Sequence, residues 1–361
     1  MRGSRIVICA ADYTADEMDL IETALRRALA APCPSLQRFY GMMQYHLGWL
    51  ERDFQECLEQ NRGKRVRPLL VLLACQAAGG DHPQSLPAAV AVELVHSFSL
   101  VHDDIEDRSD FRRHREAVWK VWGDAHAINA GDALFALSRL QLCKLMDAGV
   151  PARRVLSATA VLDEACLALT EGQFLDIHFE NVASVSLDDY LWMIRGKTAA
   201  LLAAACQIGA LVATDDIEAV RVLHEFGYNL GMAFQIEDDL LGIWGDPHIT
   251  GKPARDDILN RKKTLPVVFA WDRGSTPDAP EAVRAAADFL LQIYRESSEL
   301  SEGDAKRIVE TLESIGAKEY CAAMSQEYTA QAMAALSHPV LKEGPAQRLS
   351  ALARSLLGRG Y

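Results

Sequence analysis

The chain has 361 residues, of which 50% are apolar, 24% charged and 7% aromatic, too hydrophobic a mix for disorder and long enough to bury a large core. Its 37 Lys and Arg against 50 Asp and Glu give a formal charge of −13, which repels nucleic acid and anionic membranes except where basic residues gather. With 13 Pro, 23 Gly and no Gly/Ser-rich or Pro-rich linker, one large domain is expected.

In chain order, the apolar run Ile6 to Ala11 gives way at once to Asp12, so no cleavable signal is expected. Thr14-Ala-Asp-Glu17 has capping-box spacing and opens an amphipathic run to about Ala31, stopped by Pro32 and Pro34. Residues 1–34 thus read as an accessory segment with one helix, and residues 35–361 as a single domain. Helical periodicity then runs over residues 35–60, 66–78, 87–106, 125–147, 152–179, 187–213, 217–244 and from Thr264 onward. Strand signals are nearly absent, so the fold class is all-α. The longest uncharged stretch, residues 198–214, falls short of the roughly 20 strongly apolar residues of a membrane span, so a buried core helix and no stable membrane anchor are expected. Eight scattered cysteines without a C-x-x-C pair read as reduced thiols of a cytoplasmic protein.

Two acidic clusters close two apolar runs. Asp103, Asp104 and Asp107 follow the first, and if the helix continues, Asp103 and Asp107 stack one turn apart. Like charges so placed repel unless a cation lies between them, and magnesium suits a few carboxylates plus substrate phosphate oxygens; a solvated acidic helix end is the plain alternative. Asp238 and Asp239 end the second run, where Gly227 and Gly231 would allow close packing. Together the clusters suggest a site with several metal ions. Basic residues recur at Lys64-Arg65-Val66-Arg67, Arg112-Arg113, Lys197, Lys252 and Arg261-Lys262-Lys263, the groups a diphosphate needs.

At GKRVRP (63–68), HSFSLVHDDIED (96–107), Arg112-Arg113, AINAGDALFAL (127–137), EGQFLD (171–176), KTAALL (197–202), FQIEDD (234–239), GKP (251–253) and RKKTLP (261–266), the chain resembles trans-isoprenyl diphosphate synthases, the polyprenyl synthetase family. The resemblance covers about residues 36–345. It implies about a dozen helices around a deep cavity, a homodimer, and condensation of isopentenyl diphosphate with an allylic diphosphate. It further implies magnesium, three ions with substrate bound: two on Asp103, Asp104 and Asp107, the third on Asp238 with Asp239 assisting. Arg112, Lys197 and Lys252 would contact the allylic diphosphate, and Lys64, Arg67, His96 and Arg113 the isopentenyl diphosphate. Gln173, Asp176, Thr198, Gln235 and Lys262 would line the reacting end, the catalytic set being Lys197, Thr198, Gln235, Asp103 and Asp238. The segment from Gly245 to Leu265 would be a lid.

Three features bear on this. Gly242 stands where the family's second motif carries a third Asp, which puts in doubt the outer part of the third metal site. His114 stands where a Gly usually follows the arginine pair, and a reshaped loop is expected. Phe98 and Ser99, five and four positions before Asp103, would floor the cavity in a pattern like that for a twenty-carbon, geranylgeranyl product; plain core packing of Phe98 is the alternative. Competing readings are a class I terpene cyclase, disfavoured because the second motif offers Asp238, Gly242 and Asp246 without a hydroxyl or Glu, and a non-catalytic subunit, disfavoured by the intact Asp pairs.

Overall fold

The computed structural model describes residues 15–57, 63–245, 255–295 and 300–358. Sixteen α-helices occupy them: α1 Ala15–Ala28, α2 Gln37–His46, α3 Val66–Ala77, α4 His82–Glu106, α5 Val118–Trp122, α6 Asp124–Cys143, α7 Ala152–Glu180, α8 Leu187–Ile194, α9 Ala200–Ala213 and α10 Ile217–Trp244. After them come α11 Asp256–Leu259, α12 Leu265–Gly274, α13 Glu281–Arg295, α14 Glu302–Ser314, α15 Ala317–Leu336 and α16 Glu343–Leu357. Among the described residues the only sheet is a hairpin, β1 Phe111–Arg112 against β2 Arg115–Glu116. The all-α expectation holds.

Boundaries differ from the sequence reading in three places. The helix expected over residues 35–60 ends at His46, because Gly48 turns left-handed at φ 81° and residues 49–57 close a loop held by the Leu50 and Glu56 bridge. Helix α4 starts five residues before Pro87: the Asp81 side chain accepts from the Gln84 N–H, and Pro83 sits in the first turn, where its missing N–H costs nothing. The run over 187–213 is broken by a π-turn, Arg195–Ala199, which carries Lys197 and Thr198. Thr14 and its capping box lie outside the described residues.

Helix α9 sits at the centre and touches α3, α4, α7 and α10. One apolar cluster joins α1, α3, α4, α6, α9, α16 and the first half of α10; a second joins α8, α12 to α15 and the second half of α10. Ile21, Leu25 and Leu29 show that the N-terminal helix region belongs to the first, since all three are fully buried. The two long apolar runs, His82–Glu106 and Leu187–Ala213, are 67% and 72% buried over their most hydrophobic windows, as core helices are. Close approach of α10 to the π-turn depends on Gly231, where an added Cβ would lie 2.5 Å from the Ala199 Cα.

Gly231→Ala is expected to lower stability despite alanine's better helix propensity. The new methyl group meets backbone that cannot swing away, and overpacking of about 1–3 kcal/mol outweighs a propensity gain of about 1 kcal/mol. A urea midpoint below that of the wild type checks this.

Candidate active site

Apolar residues hold α4 rigid to its last turn, and its polar end therefore arrives at a fixed place. Asp104 is 1% exposed and turned inward: its Oδ1 accepts from Arg112 Nε at 2.8 Å and Nη2 at 2.5 Å, while its Oδ2 finds no donor among the described residues. Asp103 faces the cavity, with Arg112 Nη2 3.3 Å from one oxygen and Lys197 Nζ 3.7 Å from the other. Asp107 stands one turn on, exposed at the rim. Loss of water to the surrounding walls, with Asp103 nearby, pushes its carboxyl up to about 6.

Lys197 is placed by the π-turn, and two glycines let that turn reach α7. A Cβ on Gly172 would lie 2.2 Å from the Lys197 backbone N, and one on Gly196 would lie 2.4 Å from the Ala168 carbonyl. The ammonium donates to Asp176. Burial opposes its charge, but Asp176, Asp103 and Asp107 outweigh that and hold it above the usual lysine range. Next to it, Thr198 donates to Gln235 Oε1 at 2.7 Å, and Gln235 Nε2 donates to Asp239 Oδ1 at 3.1 Å.

Asp239 is buried. Its Oδ2 accepts from the Tyr190 hydroxyl and, at 2.7 Å, from the Leu265 N–H. Burial pushes it up to about 7 against these donors. Both oxygens of Asp239 thus take protein donors, whereas the sequence reading places it on a metal. Asp238 lines a cavity of about 200 Å³ with Asp176, Lys197, Asp257 and Lys262. Burial opposes the charge of Lys262, but Asp257, Asp176, Asp239 and Asp107 keep it charged.

On the other side lies a cationic cluster. Arg67 Nη1 donates to His96 Nε2 at 3.1 Å, which makes that nitrogen the acceptor and leaves the imidazole proton on Nδ1. Burial and then Arg67 and Arg113 hold His96 neutral. Burial also pulls Arg67 down to about 10, with Arg113 adding to the effect against Glu93, and the Arg67 Nε–H has no acceptor among the described residues. Arg113 packs over Gly63, its Cζ 2.9 Å from where a Cβ would stand. Lys64, the next residue, is exposed.

The hairpin separates the two arginines. Its turn residues Arg113 and His114 both take positive φ, 53° and 64°, as a two-residue turn requires. Arg112 is sent to the aspartates and Arg113 to the cations. His114 pays left-handed strain of about 1 kcal/mol that glycine would avoid, and the loop is a tight turn that keeps both arginines in place.

A cavity of about 360 Å³ connects these parts, from Arg67 and His96 past Asp103, Lys197 and Thr198 to Leu169, Phe174 and Leu201. Phe98 and Ser99 line it. The Phe98 ring is propped edge-on by Phe135 at 5.1 Å and His102 at 5.5 Å, and Ser99 donates back to the His96 carbonyl at 2.9 Å. Gln173 also lines it and donates to Glu106 Oε2 at 3.0 Å. Lys252 and most of the expected lid lie outside the described residues.

The Polyprenyl synthetase family model matches residues 49–312. Two relatives from Mycobacterium tuberculosis H37Rv carry different names. A (2E,6E)-farnesyl diphosphate synthase is 40% identical over 318 residues, 88% of this chain and 85% of its own; a geranylgeranyl diphosphate synthase is 39% identical over 346, 94% and 95%. The crystal structure of a Streptomyces coelicolor polyprenyl synthetase superposes with a TM-score of 0.84 at 37% identity, covering 95% of this chain and 98% of that one. A Corynebacterium glutamicum geranylgeranyl pyrophosphate synthase complexed with isoprenyl diphosphate and magnesium gives 0.77 at 27%, covering 96% and 99%.

The chain belongs to the polyprenyl synthetase family. It is a trans-isoprenyl diphosphate synthase homologue and a prenyltransferase. For this prenyltransferase, three residues escape a reading by motif: Arg65, Phe135 and His46. Arg65 is buried between Glu22 Oε1 at 2.8 Å and Glu93 Oε1 at 2.7 Å, and its place inside GKRVRP hides that. His46, at a helix end with no motif around it, is buried beneath the arginines.

Burial, and then Arg113, Arg112 and Arg65, hold His46 neutral well below its usual 6.5. The unfolded chain takes up that proton below about 6.5 and the native prenyltransferase does not, so stability is lost as pH falls through this range. His46→Gln should therefore lose less stability than the wild type between about pH 7 and pH 5, read as denaturant midpoints.

Proposed function

We propose that this prenyltransferase condenses isopentenyl diphosphate with an allylic diphosphate, head to tail and with magnesium, to a trans-polyprenyl diphosphate of twenty carbons, geranylgeranyl diphosphate. The observation that carries the reading is that one cavity brings the Asp103 carboxylate and Lys197 together with Arg67 and His96, and continues along apolar walls at Phe98, Leu169 and Leu201.

Among the described residues no three metal-ligating side chains converge on one point. That fits magnesium, which takes one or two carboxylates and draws its other oxygens from substrate phosphate and water. Asp103 and Asp107 would hold it on one wall and Asp238 on the other, with three ions as the expected number. When bound, magnesium supplies charge stabilisation to a departing diphosphate.

The remaining work falls to the chain. Lys197 and Arg112, poised at Asp103, bind and orient the allylic diphosphate, and Lys262 joins them from the far wall. Arg67 and Arg113, buried cations whose charge burial disfavours, gain from the isopentenyl diphosphate. Neutral His96 accepts from Arg67 and fixes its fork. Leu169 and Leu201 exclude water from an allylic cation. Phe98 ends the pocket.

Exposed apolar side chains on α6 and α7, among them Leu140 at 59%, Leu156 at 71%, Leu167 at 62% and Phe174 at 67%, support a homodimer through these helices. Light scattering should give twice the chain mass, and Leu167→Lys with Phe174→Lys should halve it. None of the seven described cysteines is joined in a disulfide, which supports a cytoplasmic location.

Product analysis by mass tests the chemistry. Purified protein with magnesium, isopentenyl diphosphate and, separately, dimethylallyl, geranyl or farnesyl diphosphate should yield a twenty-carbon diphosphate, and Phe98→Ala a longer one. No condensation with any primer would sink the reading; unchanged length in Phe98→Ala would discard only the floor.

A further inference from the structure

The turn that parts Arg112 from Arg113 cannot hold itself. Two strands of two residues make a marginal hairpin, and both turn residues take the left-handed φ that residues other than glycine disfavour. Arg115 is the cross-strand partner of Arg112, and like charges placed directly opposite destabilise a hairpin unless each is met elsewhere. Arg112 is met by Asp103 and Asp104. Arg115 is met from behind: its Cζ lies 4.1 Å from the centre of the Tyr45 ring, and its Nη2 donates to the Leu50 carbonyl and, at 3.2 Å, to Glu51 Oε2. Its Nη1 donates to the Tyr45 carbonyl at 3.4 Å. The Tyr45 hydroxyl donates in turn to the Glu116 carbonyl at 2.8 Å, and its ring stands edge-on to Trp122 at 4.9 Å. Tyr45 is 6% exposed, so this clamp is set deep at the end of α2.

We infer that Arg115 and Tyr45 are positioning residues, which together aim Arg112 at the allylic diphosphate and Arg113 at the isopentenyl diphosphate. This rests on the roles proposed above for those two arginines. One rival account makes Arg115 a third cation for diphosphate, the last of the run Arg112-Arg113-His114-Arg115. Arg112 reaches Asp103 of the cavity wall, and Arg113 acts on Arg67 and His96. Every hydrogen bond of Arg115 runs the other way, to Tyr45, Leu50 and Glu51. With His46, Arg112 and Arg113 it borders a recess of about 10 Å³, room for one water at most, so a shift of its guanidinium is passed on to both neighbours. The other rival is a contribution to stability alone. Because one turn carries both arginines, a loosened clamp weakens both diphosphate sites together, whereas a merely structural clamp weakens neither.

Calorimetric Kd values for isopentenyl diphosphate and, with magnesium, for the unreactive geranyl thiolodiphosphate separate the accounts, read beside denaturant midpoints. Arg115→Gln should raise both Kd values about tenfold, as misplaced binding groups do. Tyr45→Phe keeps the ring and loses the bond to the Glu116 carbonyl, and should raise both about threefold. The double variant should bind no more weakly than Arg115→Gln, since the two residues act as one clamp. A rise in one Kd only, lower midpoints with both Kd values unchanged, or a Tyr45→Phe that binds like the wild type each overturns the inference. Should Arg115→Gln not fold, Tyr45→Phe decides alone. Wild-type protein that binds both ligands but condenses no substrates overturns the proposed condensation and leaves this inference to the Kd values; wild-type protein that binds neither overturns both.

Discussion

A single buried guanidinium ties the cation side of the site together. Arg65 is 2% exposed, stands at the N-cap of α3 with φ 45°, and bonds Glu22 of α1, Glu93 of α4 and the Leu47 carbonyl at the end of α2. Trp49 holds the second oxygen of Glu22 at 2.7 Å. A charge this deep survives only because its carboxylates come from both sides, and loss of one partner from such a pair costs about 3–5 kcal/mol. Arg67 lies two residues on, so its aim into the cavity is set by this knot. The N-terminal helix, which the sequence marks as an accessory, therefore reaches the substrate site through Glu22.

The same logic, applied without counterions, makes the site. Burial favours neutral groups, and proteins usually meet it by pairing each charge. Here the pairing is deliberately incomplete: Asp107 and Asp239 are driven upward, Arg67 downward, and His46 and His96 stay uncharged among arginines. For Arg67 and Asp107, which burial and neighbours push toward their neutral forms, an arriving opposite charge works against that push. Because the two clusters carry opposite signs, one wall draws cations and the other anions. A metal-bound diphosphate carries both.

Most helices were legible because their apolar residues repeat at 3.6, and the acidic ends of α4 and α10 followed from where the apolar runs stop. Periodicity fails where a single residue breaks a helix that its neighbours would continue, as Gly48 does after His46. It is blind to the π-turn, since one extra residue at Arg195–Ala199 leaves the pattern intact while rotating Lys197 and Thr198 onto the cavity. The motifs single out the two Asp pairs but do not say which way each carboxylate faces. Asp104 and Asp239, second in their pairs, turn inward to Arg112, Tyr190 and the Leu265 N–H because consecutive helical residues point about 100° apart.

The proposed floor and the first acidic cluster stand on one helix. Phe98 and Asp103 both belong to α4, five residues or about 7.5 Å of helix rise apart, so on the proposed reading floor and metal wall cannot drift relative to each other. The floor is only as firm as what lies behind it. Phe135 of α6 props the ring, the Arg139 guanidinium lies 3.4 Å from the centre of Phe135, and Asp163 of α7 holds Arg139 at 2.5 Å. This buttress runs outward to the helices whose apolar faces are exposed. On the dimer reading, a second copy seated there would press on Phe135 from outside, and the length of the product would then depend on the association of two chains as well as on Phe98.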